Sequence, residues 1–149
     1  MNTQTLTSDN AHTAVLESLL SQQRQAYLAN PAPDYQQRVK DLKALAQMIR
    51  DHQDEIVTAV SNDYGNRSRH ETLFAEIFPA LDGVKDTIKK LKKWMKPQRR
   101  HVDITAFPTS SNKVIPQPLG VVGVIVPWNF PVNLSFGPLI NIFAAGNRA

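Results

Sequence analysis

The stretch that decides the fold is PLGVVGVIVPWNFPVNLSFGPLINIFAAGNRA, residues 118–149. Val121-Val122-Gly123-Val124-Ile125-Val126 is a short β-branched run, the signature of a strand buried on both faces of a sheet. Pro127-Trp128-Asn129-Phe130-Pro131 breaks it, and Val132–Ala145 then reads as an apolar helix ended by Gly146-Asn147. Strand, tight loop and helix in that order predict an α/β unit. The segment from Val114 to Asn147 carries no charge, which invites a membrane reading. A spanning helix needs about 20 consecutive apolar residues. Pro118, Pro127, Pro131 and Pro138 interrupt the stretch, with Asn129, Asn133 and Asn141 among them, so a buried strand-loop-helix unit is expected and no transmembrane segment.

Upstream of this block the pattern changes twice. Residues 98–118 are extended: His101–Thr105 alternates like a strand, Pro108–Asn112 is a turn, and Lys113–Pro118 is a second extended piece. Its prolines push it towards an edge or an arm. Residues 11–97 are helical. Leu16, Leu19, Leu20 and Tyr27 mark a first helix over Ala14–Leu28, and Asn30-Pro31-Ala32-Pro33-Asp34 supplies a stop, a rigid turn and a new N-cap. The second helix is expected from Tyr35 to Val60, with Val39, Leu42, Leu45, Ala46, Ile49, Ile56 and Val60 as its apolar stripe. The third runs from Glu71 to Met95, with Leu73, Ile77, Leu81, Val84, Ile88, Leu91 and Met95 on one face and Pro79 positioned to kink or divide it. Residues 1–10 are polar and expected to form a disordered tail.

The 149 residues suffice for one domain and not clearly for two. With 42% hydrophobic and 20% charged residues, the chain is neither wholly disordered nor collagen-like. There is no cysteine, which excludes disulfides, thiolate metal sites and a cysteine nucleophile within these residues. The N-terminus lacks a basic region followed by an apolar core, so no secretory signal is seen, and a cytoplasmic location is expected. Residues 85–100 hold 8 of the 17 Lys and Arg and one acid, Asp86, so the rest of the chain nets −3. That basic stretch suits either a nucleic-acid or anionic-membrane helix or, with no recognition pattern beside it, the solvated face of an amphipathic helix. The second reading is preferred, with no nucleic acid as partner.

Few residues point to chemistry. The histidines (His12, His52, His70, His101) lie far apart, and Arg69-His70-Glu71-Thr72-Leu73 begins like a zinc-protease helix but has Phe74 where the second ligand must stand, so no metal is expected. Gly120 and Gly123 do not make a G-x-G-x-x-G. Asn129, between two prolines after a buried strand, is the strongest local signal. Its amide is able either to donate to a developing oxyanion or to cap the following helix, and periodicity does not choose between the two.

The 118–149 block resembles the aldehyde dehydrogenase superfamily: its first nucleotide-binding strand, its Pro-Trp-Asn loop, the following helix and its Ala-Gly-Asn ending. The resemblance extends upstream from Tyr35, through Arg38-Val39-Lys40-Asp41-Leu42. NDYGNRSRHETLFAEIFPALDGVKDTIKKLKKWMKPQRR is similar to the coniferyl aldehyde dehydrogenase subgroup. It implies an α/β fold: a helical N-terminal region (11–97), an extended arm with oligomerisation strands (98–118) and the start of a Rossmann-like NAD(P)-binding domain (119–149). It implies oxidation of an aldehyde to the acid with NAD or NADP, through a cysteine thiohemiacetal and a glutamate-activated water. Asn129 matches the oxyanion asparagine; Val126, Pro127, Trp128 and Asn129 match the segment lining the cofactor site. The full-length protein is then expected to be a homodimer. The nucleophilic cysteine and the glutamate base have no counterpart here, so this chain reads as an N-terminal fragment, inactive alone and exposing apolar surface. The alternative is a non-catalytic helical subunit that binds full-length relatives.

Overall fold

The computed structural model describes residues 3–149, with side chains described from residue 12 onward. Helix α1 spans Thr3–Ala29, so the first helix starts earlier than its apolar pattern, and residues 3–10 of the expected tail are helical. Its stripe is not buried: Val15, Leu16, Leu19 and Leu20 are all exposed. Its C-terminal end docks, where the Tyr27 hydroxyl donates to the Pro118 carbonyl at 3.3 Å. A stripe is buried only where a second element lies along it, and α2 spends its own stripe on α5 and α6.

Helix α2 (Tyr35–Asp51) begins as its sequence dictates, with Asp34 Oδ1 accepting from the Gln37 N–H at 2.8 Å. The expected single helix to Val60 divides at His52 into α2 and α3 (Gln53–Asp63). Six polar residues, 50–55, interrupt the stripe between Ile49 and Ile56 at that point, and Asp54 and Glu55 complement the dipole of the new N-terminus.

The expected third helix is three pieces: α4 (Arg69–Thr72), a π-helical turn (Leu73–Ile77) and α5 (Phe78–Trp94). Pro79 is the cause. It has no N–H for the Ala75 carbonyl, and its ring would strike that carbonyl in a regular helix; the wider π turn makes room. The turn also resets the helix phase. The fully buried positions are Thr72, Glu76, Ala80, Val84, Thr87 and Leu91, with Ile77, while Leu73, Leu81, Ile88 and Met95 are half-buried. A glutamate therefore enters the core. Lys89, Lys90, Lys92 and Lys93 face solvent.

Helix α6 (Pro131–Ala144) continues through Pro138 and completes the core. Leu42, Leu45 and Ala46 of α2 pack with Val84 and Leu91 of α5 and with Ile140 and Ala144 of α6. A second cluster joins Ile49, Val57 and Val60 to Ile77, Ala80 and Val132, reaching the first turn of α6.

The arm forms a short hairpin displaced from the expected strands: β1 (Gln98–Arg100) pairs antiparallel with β2 (Asn112–Val114), Arg99 opposite Lys113. Residues 101–105 turn instead of pairing, because Asp103 Oδ1 takes the N–H groups of Thr105 at 2.9 Å and Ala106 at 3.3 Å. That competes with a ladder and leaves both strands short and fully exposed.

The run 121–126 is extended but is not a strand beyond one parallel bridge, Val121 with Arg148. The Val122 N–H donates to the Arg148 carbonyl and the Arg148 N–H to the Gly120 carbonyl, each at 2.9 Å. A strand exists through its neighbours, and the remaining residues have none: Ile125 is 100% exposed. The bridge is nonetheless the first rung of a parallel crossover through α6. Asn147 ties its ends, Oδ1 accepting from Leu119 N at 2.5 Å and Gly120 N at 2.9 Å. Arg38 secures the other side. Its Nη1 donates to the Ala144 carbonyl at 3.0 Å and its Nε to the Pro33 carbonyl at 2.8 Å, at the C-terminal end of α6, where a cation is favoured. Burial pushes the Arg38 guanidinium below its ordinary pKa. Among the described residues, no helix is long and apolar enough to cross a membrane, and no cluster of three or more His, Asp or Glu is placed to hold a metal.

Candidate functional site

The Pro127–Pro131 loop leaves the extended run and enters α6 at Phe130, which is the N-cap residue. Its side chain cannot cap, so the first N–H groups of α6 need another acceptor. Glu76 supplies it from the π turn: Oε2 accepts from Val132 N at 2.7 Å and from Asn133 N at 3.3 Å, inside the core, with the residue wholly buried. The capping role that the sequence left open for Asn129 thus belongs to Glu76. A carboxylate at a helix N-terminus also meets the positive end of the dipole.

A buried carboxylate requires a cation. Arg67, itself buried, provides it: Nη1 lies 2.8 Å from Glu76 Oε1, and Nη2 lies 3.3 Å from Glu71 Oε1 at the surface. The guanidinium is held between two rings, with Cζ 5.0 Å from the Tyr64 centroid and 4.9 Å from that of Phe130. It also donates to the Asn129 carbonyl at 3.4 Å, while the Tyr64 hydroxyl donates to the Trp128 carbonyl. The backbone of residues 128–130 is therefore gripped from the α3–α4 connection.

The Asn129 side chain is not part of this grip. The residue is exposed, and its carboxamide has no hydrogen-bond partner among the described residues. Beside it lies an open groove of about 630 Å³ lined by Asp63, Tyr64, Val126, Pro127, Trp128 and Pro131. Of the four residues expected to line a cofactor site, Val126, Pro127 and Trp128 border this groove, and Asn129 follows them without lining it. Trp128 is 81% exposed. Phe74 and Phe78, one turn apart on either side of Glu76, stack with centroids 6.3 Å apart and face outward.

The sequence as a whole matches the Aldehyde dehydrogenase family over residues 2–149. The chain belongs to the aldehyde dehydrogenase family. Three curated aldehyde dehydrogenases illustrate the similarity. The "Probable coniferyl aldehyde dehydrogenase" of Pseudomonas aeruginosa is 53% identical over 133 residues, covering 89% of this chain and 28% of the relative. Its namesake in Caulobacter vibrioides is 40% identical over 151 residues, covering 100% of this chain and 31% of the relative. The "Coniferyl aldehyde dehydrogenase" of Pseudomonas sp. is 42% identical, covering 90% and 27%. The solved structure of a substrate-bound Staphylococcus aureus AldH superposes with a TM-score of 0.81 at 29% identity, over 89% of this chain and 28% of that one. This aldehyde dehydrogenase chain thus spans under a third of the length of the relatives it matches, as the N-terminal part of the fold.

Tyr64, Arg67 and Glu76 were not singled out from the sequence. Glu76 carried a signal: it stands four residues before Ala80 and eight before Val84, in line with the buried face. An apolar count passes over a Glu-Ala-Val-Thr-Leu series. Arg67 carried none, since nothing local distinguishes it from a surface arginine.

Proposed function

We propose that the full-length protein containing this chain oxidises an aldehyde of the coniferyl class to its acid with NAD or NADP, and that Asn129 stabilises the oxyanion. The carrying observation is an exposed, unengaged carboxamide on a loop whose backbone is held by Tyr64 and Arg67, with Glu76 fixing the start of the helix after it. A donor held in place before reaction costs no reorganisation when negative charge develops on the aldehyde oxygen. The nucleophile and base come from outside these residues, which contain no cysteine. The groove suits the flat, partly apolar face of a nicotinamide, with Val126, Pro127 and Trp128 as its wall. When bound, NAD(P)+ supplies the hydride acceptor. The relatives named for coniferyl aldehyde support the substrate class.

We assign the exposed β1–β2 hairpin to subunit pairing in a homodimer, and the protein to the cytoplasm, consistent with a cysteine-free chain. The 1–149 segment alone is inactive in this reading.

The test uses a chimera in which this chain replaces the matching segment of the P. aeruginosa relative. Asn129→Ala is expected to lower kcat by about 100-fold to 1,000-fold, the usual cost of one oxyanion donor, with little change in aldehyde KM. Unchanged turnover refutes the role of Asn129. A chimera that turns over other aldehydes and not coniferyl aldehyde refutes the substrate class.

A further inference from the structure

We propose that Arg67 and Glu76 are positioning residues for the reaction: they fix the Trp128-Asn129-Phe130 backbone so that the Asn129 carboxamide is presented in one orientation. This rests on the oxyanion reading of Asn129. The argument begins with what the loop lacks. It has no regular hydrogen-bonded structure of its own, it is flanked by Pro127 and Pro131, which have no N–H to give, and its own N-cap side chain is a phenylalanine. Its position must come from elsewhere.

Apart from the Tyr64 hydroxyl on the Trp128 carbonyl, the fixed points found on it lead back to one buried pair. Glu76 ends the loop by holding Val132 N and Asn133 N, which sets where α6 begins. Arg67 reaches the Asn129 carbonyl itself and closes over the Phe130 ring. The ion pair at 2.8 Å links the two anchors across the core, with 8% and 0% of each residue exposed. Burying such a pair is a poor way to gain stability, because apolar residues of similar volume commonly serve as well. It holds geometry by charge and confinement: Glu76 Oε2 is committed to the α6 N–H groups, its Oε1 faces Arg67 Nη1 without a hydrogen bond, and the guanidinium is held between the Tyr64 and Phe130 rings.

The experiment is a double-mutant cycle in the chimera. Glu76→Ala is expected to lower kcat by about tenfold to 100-fold, as a misplaced catalytic group does, while the KM values for aldehyde and cofactor stay within about threefold. Glu76→Gln retains a carbonyl acceptor for the α6 N–H groups but removes the charge paired with Arg67, and is expected to recover only part of the kcat lost in Glu76→Ala. Arg67→Lys keeps the charge for Glu76 but loses the planar stack and the reach to Asn129, and is expected to lower kcat like Glu76→Ala. It carries the test if Glu76→Ala does not fold. Combined with Asn129→Ala, neither variant should slow the enzyme by more than about a further threefold, because both act through the same amide. Losses that multiply in the double variants, or single variants that change KM and leave kcat alone, overturn the positioning role while leaving Asn129 its own. Full turnover in Asn129→Ala overturns the oxyanion reading and the positioning role with it.

Discussion

Gly146 and Gly65 have nearly the same backbone, φ +84° and +81°, and different surroundings, so together they measure what Arg38 does. Each follows a helix and closes it in the left-handed region, where any L side chain is strained. An alanine at Gly65 would meet nothing within 4 Å, so its cost is the backbone term alone, about 1 kcal/mol. An alanine at Gly146 would place Cβ 2.7 Å from Arg38 Cζ and 2.9 Å from its Nη2, closer than real contacts allow. The guanidinium must move, and moving it disturbs the bonds to the Ala144 and Pro33 carbonyls. Disturbing hydrogen bonds to a charged group adds about 1–3 kcal/mol, for a total of about 2–4 kcal/mol.

Hydrogen exchange in the full-length chimera reads each site locally. Gly65→Ala should speed exchange of the Tyr64 and residue-65 amides by about fivefold, and Gly146→Ala should speed exchange over residues 145–148 by about 30-fold or more, at a factor of ten per 1.4 kcal/mol. Arg38→Ala should then remove much of the additional penalty at Gly146 and none at Gly65. Equal effects of the two glycine substitutions, or strict additivity of Gly146→Ala with Arg38→Ala, would refute the reasoning.

Asp34→Ala removes the acceptor of the Gln37 N–H and should cost α2 about 1 kcal/mol, seen as exchange at Gln37 about fivefold faster with α5 unaffected. At Asp103, the Thr105 hydroxyl, then the Thr105 and Ala106 N–H groups, hold the carboxyl below the usual aspartate range. The turn is therefore favoured at neutral pH and lost as pH falls through that lowered value. NMR titration of the Thr105 amide should show a midpoint below that of a free aspartate, and an ordinary midpoint would contradict the turn. The isolated 149-residue chain exposes Leu119 (91%), Ile125 (100%) and Trp128 (81%), together with the α1 stripe. It should bind a hydrophobic dye and elute larger than a monomer. Sharp cooperative melting with monomeric elution would count against this.

The parts visible in the sequence are those governed by neighbours along the chain. Asp34 caps α2 because its acceptor needs only the N–H three residues on. The stripe of Leu42, Leu45, Ala46 and Ile49 repeats with the helix, and Gly146-Asn147 ends α6 because glycine tolerates the left-handed turn. Pro79 announced an interruption, and the Pro-Trp-Asn loop with its asparagine was legible as a motif. What only the tertiary structure decided depends on residues far apart. Whether 121–126 forms a strand depends on neighbours, and one rung to Arg148 is all that the described residues supply. Whether the α1 stripe is buried depends on which elements α2 packs against. The proposed site shows the same division: Asn129 stood out in its own loop, with the oxyanion role implied by the resemblance, whereas the groups that hold that loop and the helix after it, Tyr64, Arg67 and Glu76, come from 53 to 65 positions earlier. A buried glutamate looks like a surface one until a helix N-terminus and an arginine close around it. That closure is a property of packing and leaves no period in the sequence.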